Sequence, residues 1–543
     1  MNRRNFFSFL TNAGSERVSE HSAEYSPLYA PEHFANEDDD KQPTSTANAG
    51  LEPYTRALTR AQALHLLRRA GFATSNAQVA QFVGKTAQEA VQQLLGTTDA
   101  PLPDAPGTWV NDITENPDKA DNDTRNQIIG RWNSQFSSLQ SWWAQRMISE
   151  GFPQREKLVL FWHGHFTSEF SFDDVYNPPQ LLFRQNQILR QDAFGDLRKL
   201  VEDISLDGAM LHYLGGTLNS KGAPNENYAR ELFELFTTGL GQYTEGDIKE
   251  AARILTGWRA SRYNDEPRPN GSYNTYFVPN AHDTGAKQVL GITFPAREAD
   301  ANTEFLVRQN EVRRLIDVIF QERSQETARF LAGKLYRFYV YSNPTLSASA
   351  QSVIAQMADL LRNNGYRTRP LLQALFASAH FYEEANIGVQ VKTPAEFVVG
   401  LARQLGVSAS NAVSVMNSLE QVLFDPPNVA GWDGYRSWLS TKTFPLRVQF
   451  AQQLVQSMSN DAAAGFARQF TGADNVQTLV QALTEFLLPK PISQKRLQSY
   501  TQSLLQGAPD YEWSSILRDS NSAGPRIKAL LTTLAKAPDM QLC

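Results

Sequence analysis

Apolar residues recur at helical spacing along most of the chain. In the first such segment Ala61, Leu64, Leu67 and Ala70 fall on one face of a helix. Similar patterns predict helices in the first half over 87–95, 133–149, 155–162, 181–189, 194–206, 225–237 and 245–256. In the second half they predict helices over 302–320, 325–341, 348–363, 369–379, 393–405, 411–419, 444–457 and 476–488. Strand-like alternation is scarce, so the predicted fold class is mainly α, a large multi-helix globular domain.

One long segment departs from this pattern. Residues 263–294 contain turn residues, aromatics and short strand-like runs, which predicts an irregular, strand-poor insertion. No repeat of fixed period is visible, which disfavours a solenoid. We therefore expect a single large helical domain over 51–543, with a sub-boundary near residue 295.

The first fifty residues have a different composition. Residues 15–50 are rich in Ser, Glu, Asn and Asp and include the acidic run 37–40, so they hold too little apolar surface to offset the entropy of ordering. Residues 1–50 are predicted to be a disordered tail. Its beginning, Arg3-Arg4-Asn5-Phe6-Phe7, is similar to a twin-arginine export signal, although the apolar run after it ends at Leu10. The alternative is a short docking tail.

Composition excludes several classes of protein. Hydrophobic residues make up 41% of the chain, and 51 basic against 57 acidic residues give a net charge of −6, which argues against a nucleic-acid binder held by overall charge. A single cysteine, Cys543, rules out an intrachain disulfide and a cysteine-built metal site. No apolar run approaches the roughly 18 residues of a membrane-spanning helix.

The first group of candidate functional residues is Trp162-His163-Gly164-His165, at the end of an apolar helical run. On a continuous helix, two positions separated by two residues point about 200° apart and cannot face one metal ion. Gly164 suggests that the helix ends there, which would let both imidazoles reach one cleft. The alternative is structural, with His163 hydrogen-bonded in the core and His165 near the helix C-terminus.

A second group lies on the helix predicted to begin at Asn225. Asn227, Glu231 and Glu234 follow at helical spacing and form a polar stripe. Glu231 is a candidate metal ligand or general base, and Asn227 and Arg230 are candidate substrate-binding residues together with Trp162. In the structural alternative Asn225 caps the helix and Arg230 forms an ordinary surface ion pair with Glu226.

A third group is His282-Asp283 in the irregular segment. Adjacent His and Asp in a loop are weak evidence alone, and the alternative is an Asx-turn from Asp283 onto Gly285. Trp258 and Trp432 each follow a glycine; such aromatics could stack on sugar rings, but more often they close the edge of a core. No phosphate-binding glycine loop, Gly-x-Ser-x-Gly elbow or His-Glu-x-x-His helix is present, so no nucleotide cofactor is expected.

These motifs together resemble a bacterial family of proteins of unknown function, numbered eighteen hundred. The shared segments are listed here in chain order: 64–72, 161–166, 221–236, 250–258, 282–283, 334–338 and 426–432. The resemblance implies a mostly helical fold and no established activity. It also implies an exported, sulfatase-like protein as a partner, and a periplasmic or exported location. A cytoplasmic location is expected instead if the N-terminal arginine pair is not a working signal.

Two functional hypotheses follow. The first is a metal-dependent enzyme, a hydrolase or an oxidoreductase, acting on an anionic or carbohydrate-type substrate. Its metal ion, zinc, iron, manganese or copper, would be held by His163, His165, Glu231 and His282, with Glu231 and Asp283 in catalytic roles. The second is a non-catalytic scaffold or assembly partner of the sulfatase-like protein, in which the same side chains form a buried hydrogen-bond network.

Overall fold

Local capping interactions fix where many of the helices begin. The computed structural model describes residues 50–96, 101–171 and 177–543. In five of its helices a Thr or Ser side chain accepts the N3 backbone N–H while the N3 side chain accepts the N-cap N–H, which satisfies two donors that a helix start leaves unpaired. These capping boxes pair Thr59 with Gln62, Ser75 with Gln78, Thr86 with Glu89, Thr244 with Asp247 and Thr393 with Glu396.

The predicted fold class, mainly α, is confirmed. In the first half of the chain the helices are Arg60–Ala70, Asn76–Ala80, Ala87–Gly96, Asn122–Ser149, Gln154–His165, Pro179–Asp192, Leu197–Ser205, Gly208–Tyr213, Glu226–Glu231 and Glu245–Ile254. In the second half they are Glu304–Val307, Arg314–Glu322, Ser324–Tyr339, Ala348–Asn363, Thr368–Ala377, Pro394–Leu405, Ala412–Ser418, Thr443–Gln456, Asn460–Arg468, Val476–Leu487, Gln494–Leu505, Trp513–Arg518 and Ser520–Ala535.

The strands of the described residues lie in or beside the predicted insertion. β1 (Trp258–Ala260) pairs antiparallel with β2 (Thr275–Phe277), and β3 (Lys287–Val289) pairs antiparallel with β4 (Ile292–Phe294). In the first pair Trp258 lies opposite Phe277. These two small hairpins confirm that the segment is irregular and poor in strands.

Two helices contain a π-helical turn. Leu232–Thr237 continues the Glu226–Glu231 helix, and Arg308–Arg313 joins Glu304–Val307 to Arg314–Glu322. Hydrogen bonds in a π-turn run from residue i to residue i+5, so the side chains on either side are shifted relative to an α-helix, and such turns are frequent at functional sites.

The Gln154–His165 helix passes through the core. Both its apolar residues and its charged residues are buried, including Glu156, Lys157, His163 and His165. The helix was expected to end at Gly164 and ends one residue later, at His165, so both histidines still belong to the helix. A β-carbon at Gly164 would be in ordinary van der Waals contact with the Trp432 ring, at 3.4 Å.

Residues Ala49–Cys543 form one compact unit. The predicted tail over 1–50, with its twin-arginine-like start, lies outside the described residues apart from residue 50, and the sub-boundary near 295 stays a prediction. Among the described helices, none is both long enough and apolar enough to cross a membrane.

Candidate functional site

His163 is a buried hydrogen-bond acceptor. The backbone N–H of Phe424 donates to its Nε2 over 3.0 Å, so this nitrogen carries no proton. The rings of Trp143 and Trp432 lie 5.4 and 5.7 Å from the imidazole. Burial lowers the pKa of His163 to about 3, so the ring stays neutral at physiological pH. These contacts match the structural alternative for His163.

His165 connects two other helices. Its Nε2 donates to the carbonyl of Phe236 over 3.1 Å, and its Nδ1 accepts from the Lys334 ammonium over 3.0 Å. Lys334 also donates to the carbonyl of Leu235, so both side chains satisfy carbonyls near the end of the Leu232–Thr237 π-turn. Burial, followed by the charge of Lys334, holds the pKa of His165 well below its usual range. Both imidazole nitrogens are therefore engaged within the protein.

Glu231 is buried, and the described residues give its carboxylate no hydrogen bond. Burial and the neighbouring charge of Glu234 raise its pKa to about 7. Asn227, one turn earlier on the same helix, is half-buried. Arg230 forms a two-bond ion pair with Glu245 at 2.9 and 2.7 Å. Its partner is thus a residue from the next helix and not Glu226, the partner expected from the sequence. The Arg230 charge is thereby compensated within the protein.

His282 and Asp283 have different partners from the residues above. The Nδ1 of His282 lies 2.9 Å from the carbonyl of Thr256, and its Nε2 lies 3.3 Å from a carboxylate oxygen of Glu311. Asp283 forms a two-bond pair with Arg253 at 2.7 and 3.1 Å. Asp283 thus orients the Arg253 side chain. The predicted Asx-turn is confirmed, since the N–H of Gly285 donates to Asp283 over 2.9 Å.

The residues of the sequence hypothesis of one shared metal ion have separate protein partners in the structure. Across residues 50–96, 101–171 and 177–543 there is no group of three His, Cys, Asp or Glu side chains that could hold a metal ion. The imidazole nitrogens described above contact protein groups, and the shared metal site stays a prediction. Trp162 is fully buried and donates its indole N–H to Ala193 over 3.0 Å, so it has no exposed face for a substrate.

The sequence reading missed the buried ion pairs of the Gln154–His165 helix. Glu156 accepts from Arg190 over 2.8 and 2.7 Å and from the Trp143 indole over 2.8 Å, and the side chains of Glu156 and Arg190 are fully buried. Lys157 and Arg69 both pair with the buried carboxylate of Glu396. Charged residues inside an otherwise apolar run were the available signal, because such residues are buried only when paired.

A cleft of about 420 Å³ lies beside the first hairpin. We call it the Trp258 cleft. Its lining includes two aromatic side chains and several hydrogen-bonding side chains, among them Trp258, Tyr273, Arg184, Asp207, Asn270 and Arg308. The volume is in the range of small-molecule sites, which join apolar faces to a few polar groups that fix the ligand's orientation.

Two donors of this cleft have no acceptor in the described chain. The indole Nε1 of Trp258 and the Nε of Arg184 are both buried without a hydrogen bond. Trp258 is only 2% exposed, so its N–H is withdrawn from bulk solvent and unpaired at the same time. A buried donor without a partner costs about 1–3 kcal/mol, but both atoms are out of reach of solvent, so a ligand oxygen could accept from them only if the lining side chains shifted.

Asp207 lines the same cleft and is buried. Burial raises its pKa to about 7, although hydrogen bonds from the Met210 backbone and the Gln185 side chain act in the opposite direction. Asp207 also caps the Gly208–Tyr213 helix. Near neutral pH this carboxyl group exists in both protonation states and can therefore either donate or accept a hydrogen bond.

The Thr256–Trp258 segment connects His282 to the cleft. Thr256 contacts His282, while the left-handed Gly257 (φ +91°) turns the chain into β1. A β-carbon at Gly257 would lie 2.9 Å from the Phe277 ring and 3.0 Å from the His282 side chain, so no other residue fits this turn. His282 and Gly257 thus fix the turn that leads into Trp258. The motifs that contain them therefore have a structural role next to the cleft.

Comparison with known proteins places the chain in a family. The model of the family described as "Protein of unknown function (DUF1800)" matches residues 65–542, which is most of the chain, and the protein belongs to that family. No curated protein matches it, and no solved structure matches it. The family resemblance of the sequence motifs is therefore confirmed, and the activity has to be argued from the site itself.

Proposed function

We propose that this protein binds a carbohydrate in the Trp258 cleft, and that its histidine motifs are structural. The observation that carries the proposal is the buried, unpaired indole N–H of Trp258 beside a cleft that is lined by hydrogen-bonding side chains. Sugars present hydroxyl groups that both donate and accept hydrogen bonds.

The charges around the cleft favour a neutral ligand. Arg308 is paired with Glu202 and Asp203 at 2.7 and 2.6 Å, so its charge is largely compensated. Arg230 and Arg253, which do not line the cleft, are also each paired with acidic side chains. An anionic substrate would have to displace these carboxylates, whereas a neutral sugar would not. Carbohydrate is therefore the better supported of the two substrate classes.

The proposal is tested by two matched tryptophan variants. Trp258→Phe keeps an aromatic ring but removes the pyrrole part of the indole together with its N–H. Trp432→Phe is the control, because the Nε1 of Trp432 is also buried without a partner but Trp432 does not line the cleft. Wild type and both variants are applied to an array of neutral, acetamido, uronic-acid and sulfated oligosaccharides, and the binding glycans are then titrated by calorimetry.

We expect wild type to bind a neutral or acetamido glycan and Trp258→Phe to lose about tenfold or more in affinity, which corresponds to about 1.4 kcal/mol, as for a lost buried hydrogen bond. Trp432→Phe should bind like wild type. Absence of binding by folded wild type at millimolar glycan, or equal affinity of wild type and Trp258→Phe, would contradict the proposal.

The enzymatic alternative is a separate matter. Catalytic roles for Glu231 and Asp283, a bound metal ion, a sulfatase-like partner and export stay predictions from the sequence. The placement of Asp207 and Trp258 in one cleft supports a binding function over a catalytic one. These residues can recognise a ligand, but they do not form a pair of catalytic groups such as a nucleophile and its base.

A further inference from the structure

A second cavity adjoins the Trp258 cleft. It has a volume of about 360 Å³ and is lined largely by charged side chains of the Leu197–Ser205 helix and of the Arg308–Arg313 and Arg314–Glu322 segments. We call it the charged groove. Asp203 and Arg308 line both cavities, so this ion pair lies between the two spaces.

The π-turn explains how two arginines come to lie over one carboxylate. Five residues apart on an α-helix, Arg308 and Arg313 would point about 140° from each other, at 100° per residue. In the π-turn residues i and i+5 are hydrogen-bonded neighbours. Both arginines consequently reach Glu202, Arg308 at 2.7 Å and Arg313 at 2.8 Å, and Glu202 itself is buried. The turn thus places Arg308 at the junction while Arg313 lines only the groove.

The groove has no net charge from its lining. Four basic and four acidic side chains line it. A polyanion would gain little from such a surface, since attraction and repulsion cancel. Hydroxyl groups, in contrast, can accept from the arginines and donate to the carboxylates. The chemistry of the groove therefore matches that of a neutral sugar, as in the adjoining cleft.

We propose that the Trp258 cleft and the charged groove together bind consecutive units of one extended, neutral oligosaccharide, with Arg308 at the junction between the two subsites. This inference rests on the proposed function, because the first sugar unit occupies the Trp258 cleft. It adds that the preferred ligand is a chain and not a monosaccharide. Each cavity alone is near the small end of the range for ligand sites, and a chain that occupied both would cross the ion pair of Asp203 and Arg308.

The test uses ligands of increasing length. The monosaccharide to the hexasaccharide of the glycan identified on the array are titrated against wild type, Arg198→Ala and Arg313→Ala. Both arginines line the groove and not the Trp258 cleft, and their side chains are 40% and 52% exposed, so the fold should tolerate their removal. Lys442→Ala, which removes a comparably exposed ion pair with Glu420 and lines neither cavity, is the control.

For wild type we expect affinity to rise at least tenfold from the monosaccharide to the tri- or tetrasaccharide and then to level off. Arg198→Ala and Arg313→Ala should keep the monosaccharide affinity and lose most of this increase, while Lys442→Ala should behave like wild type. Binding of the neutral chain should change little with salt concentration.

The two proposals fail in different ways. If no glycan binds, or Trp258→Phe binds like wild type, the proposed function fails. If the monosaccharide binds through Trp258 but affinity is the same for all chain lengths, only the extended-chain inference fails. A clear preference for a sulfated or uronic-acid chain, with affinity falling steeply as salt is raised, would also overturn the neutral-ligand inference.

Discussion

Gly431 packs directly on the backbone of Gly164: a β-carbon added to Gly431 would overlap the Gly164 carbonyl oxygen. The ring of the next residue, Trp432, lies over Gly164 itself. Gly431 also has a left-handed backbone (φ +88°). Two segments far apart in sequence are thus joined at a pair of glycines next to His163, and the contact explains why position 431 is a glycine.

This contact predicts a large effect of a small substitution. Gly431→Ala should lower the free energy of unfolding by about 3 kcal/mol or more, because left-handed strain and overlap with the helix backbone act together. Gly406→Ala is the matched control: Gly406 is also left-handed (φ +66°), but nothing lies within 4 Å of its added β-carbon. It should cost only about 1–2 kcal/mol in chemical denaturation. Equal costs for the two variants would contradict the described contact.

The buried neutral His163 predicts a particular dependence of stability on pH. Its folded pKa is about 3, below the usual unfolded value of about 6.5, so the unfolded state binds the extra proton between these values. Stability contributed by this group is present above pH 6.5 and is lost as pH falls, by about 1.4 kcal/mol per pH unit.

Replacing His163 by glutamine should remove this part of the pH dependence. The glutamine can still accept from Phe424, so we expect a cost of about 1–3 kcal/mol at pH 7.5 and a shallower loss of stability between pH 6 and pH 4. Urea unfolding at several pH values measures both. Parallel pH curves for wild type and His163→Gln would show that the imidazole is not held neutral in the folded state.

For Glu231 the predicted dependence of stability on pH has the opposite sign. Its folded pKa of about 7 lies above its unfolded value, so the folded state holds the extra proton and stability falls as pH rises from about 4.5 to 7. Glu231→Gln should therefore be more stable than wild type by about 1–3 kcal/mol at pH 8 and about equally stable at pH 4. Thermal unfolding at both pH values measures the difference.

A control carboxylate lies nearby. Glu245 pairs with Arg230, which lowers the pKa of Glu245, so Glu245→Gln should not gain stability at pH 8. If Glu231→Gln were less stable than wild type at pH 8, the Glu231 carboxylate would have a favourable partner. If an added divalent cation then stabilised wild type but not Glu231→Gln, the metal hypothesis would be favoured over the structural one.

The pair Glu156 and Arg190 predicts strong coupling. Both side chains are fully buried, so Arg190→Met leaves a buried carboxylate with only the Trp143 N–H and should cost about 3–5 kcal/mol. The double variant Glu156→Leu/Arg190→Met removes both charges and should be more stable than Arg190→Met. Additive losses in a double-mutant cycle would show that the pair is not coupled in the fold.

Many of the helices were predictable because they bury one periodic apolar face. The Glu245–Ile254 helix, for example, combines that pattern with a capping box at Thr244. The Gln154–His165 helix was harder, because it is buried on every side and periodicity does not define its end. Its extension through Gly164 depends on Gly431 and Trp432, which are distant in sequence.

The candidate site was predictable only in part. The motifs of the sequence mark positions that are structurally demanding, such as His163, Gly257 and His282, but their partners come from remote segments. Asp207 and Arg308 belong to no sequence motif that was singled out, because a cleft formed by a helix cap and a π-turn has no local pattern. Trp258 was singled out, and tertiary packing decides that its N–H is unpaired.

The most direct test of carbohydrate binding follows the Trp258 N–H itself. The protein contains nine tryptophans, and labelling them with nitrogen-15 gives one indole N–H resonance each, of which the Trp258 signal is the one missing from Trp258→Phe. We predict that titration with the glycan identified on the array shifts this resonance downfield, as a new hydrogen bond forms, while the Trp432 resonance stays in place. An unchanged Trp258 resonance at a glycan concentration that saturates binding would contradict the central claim.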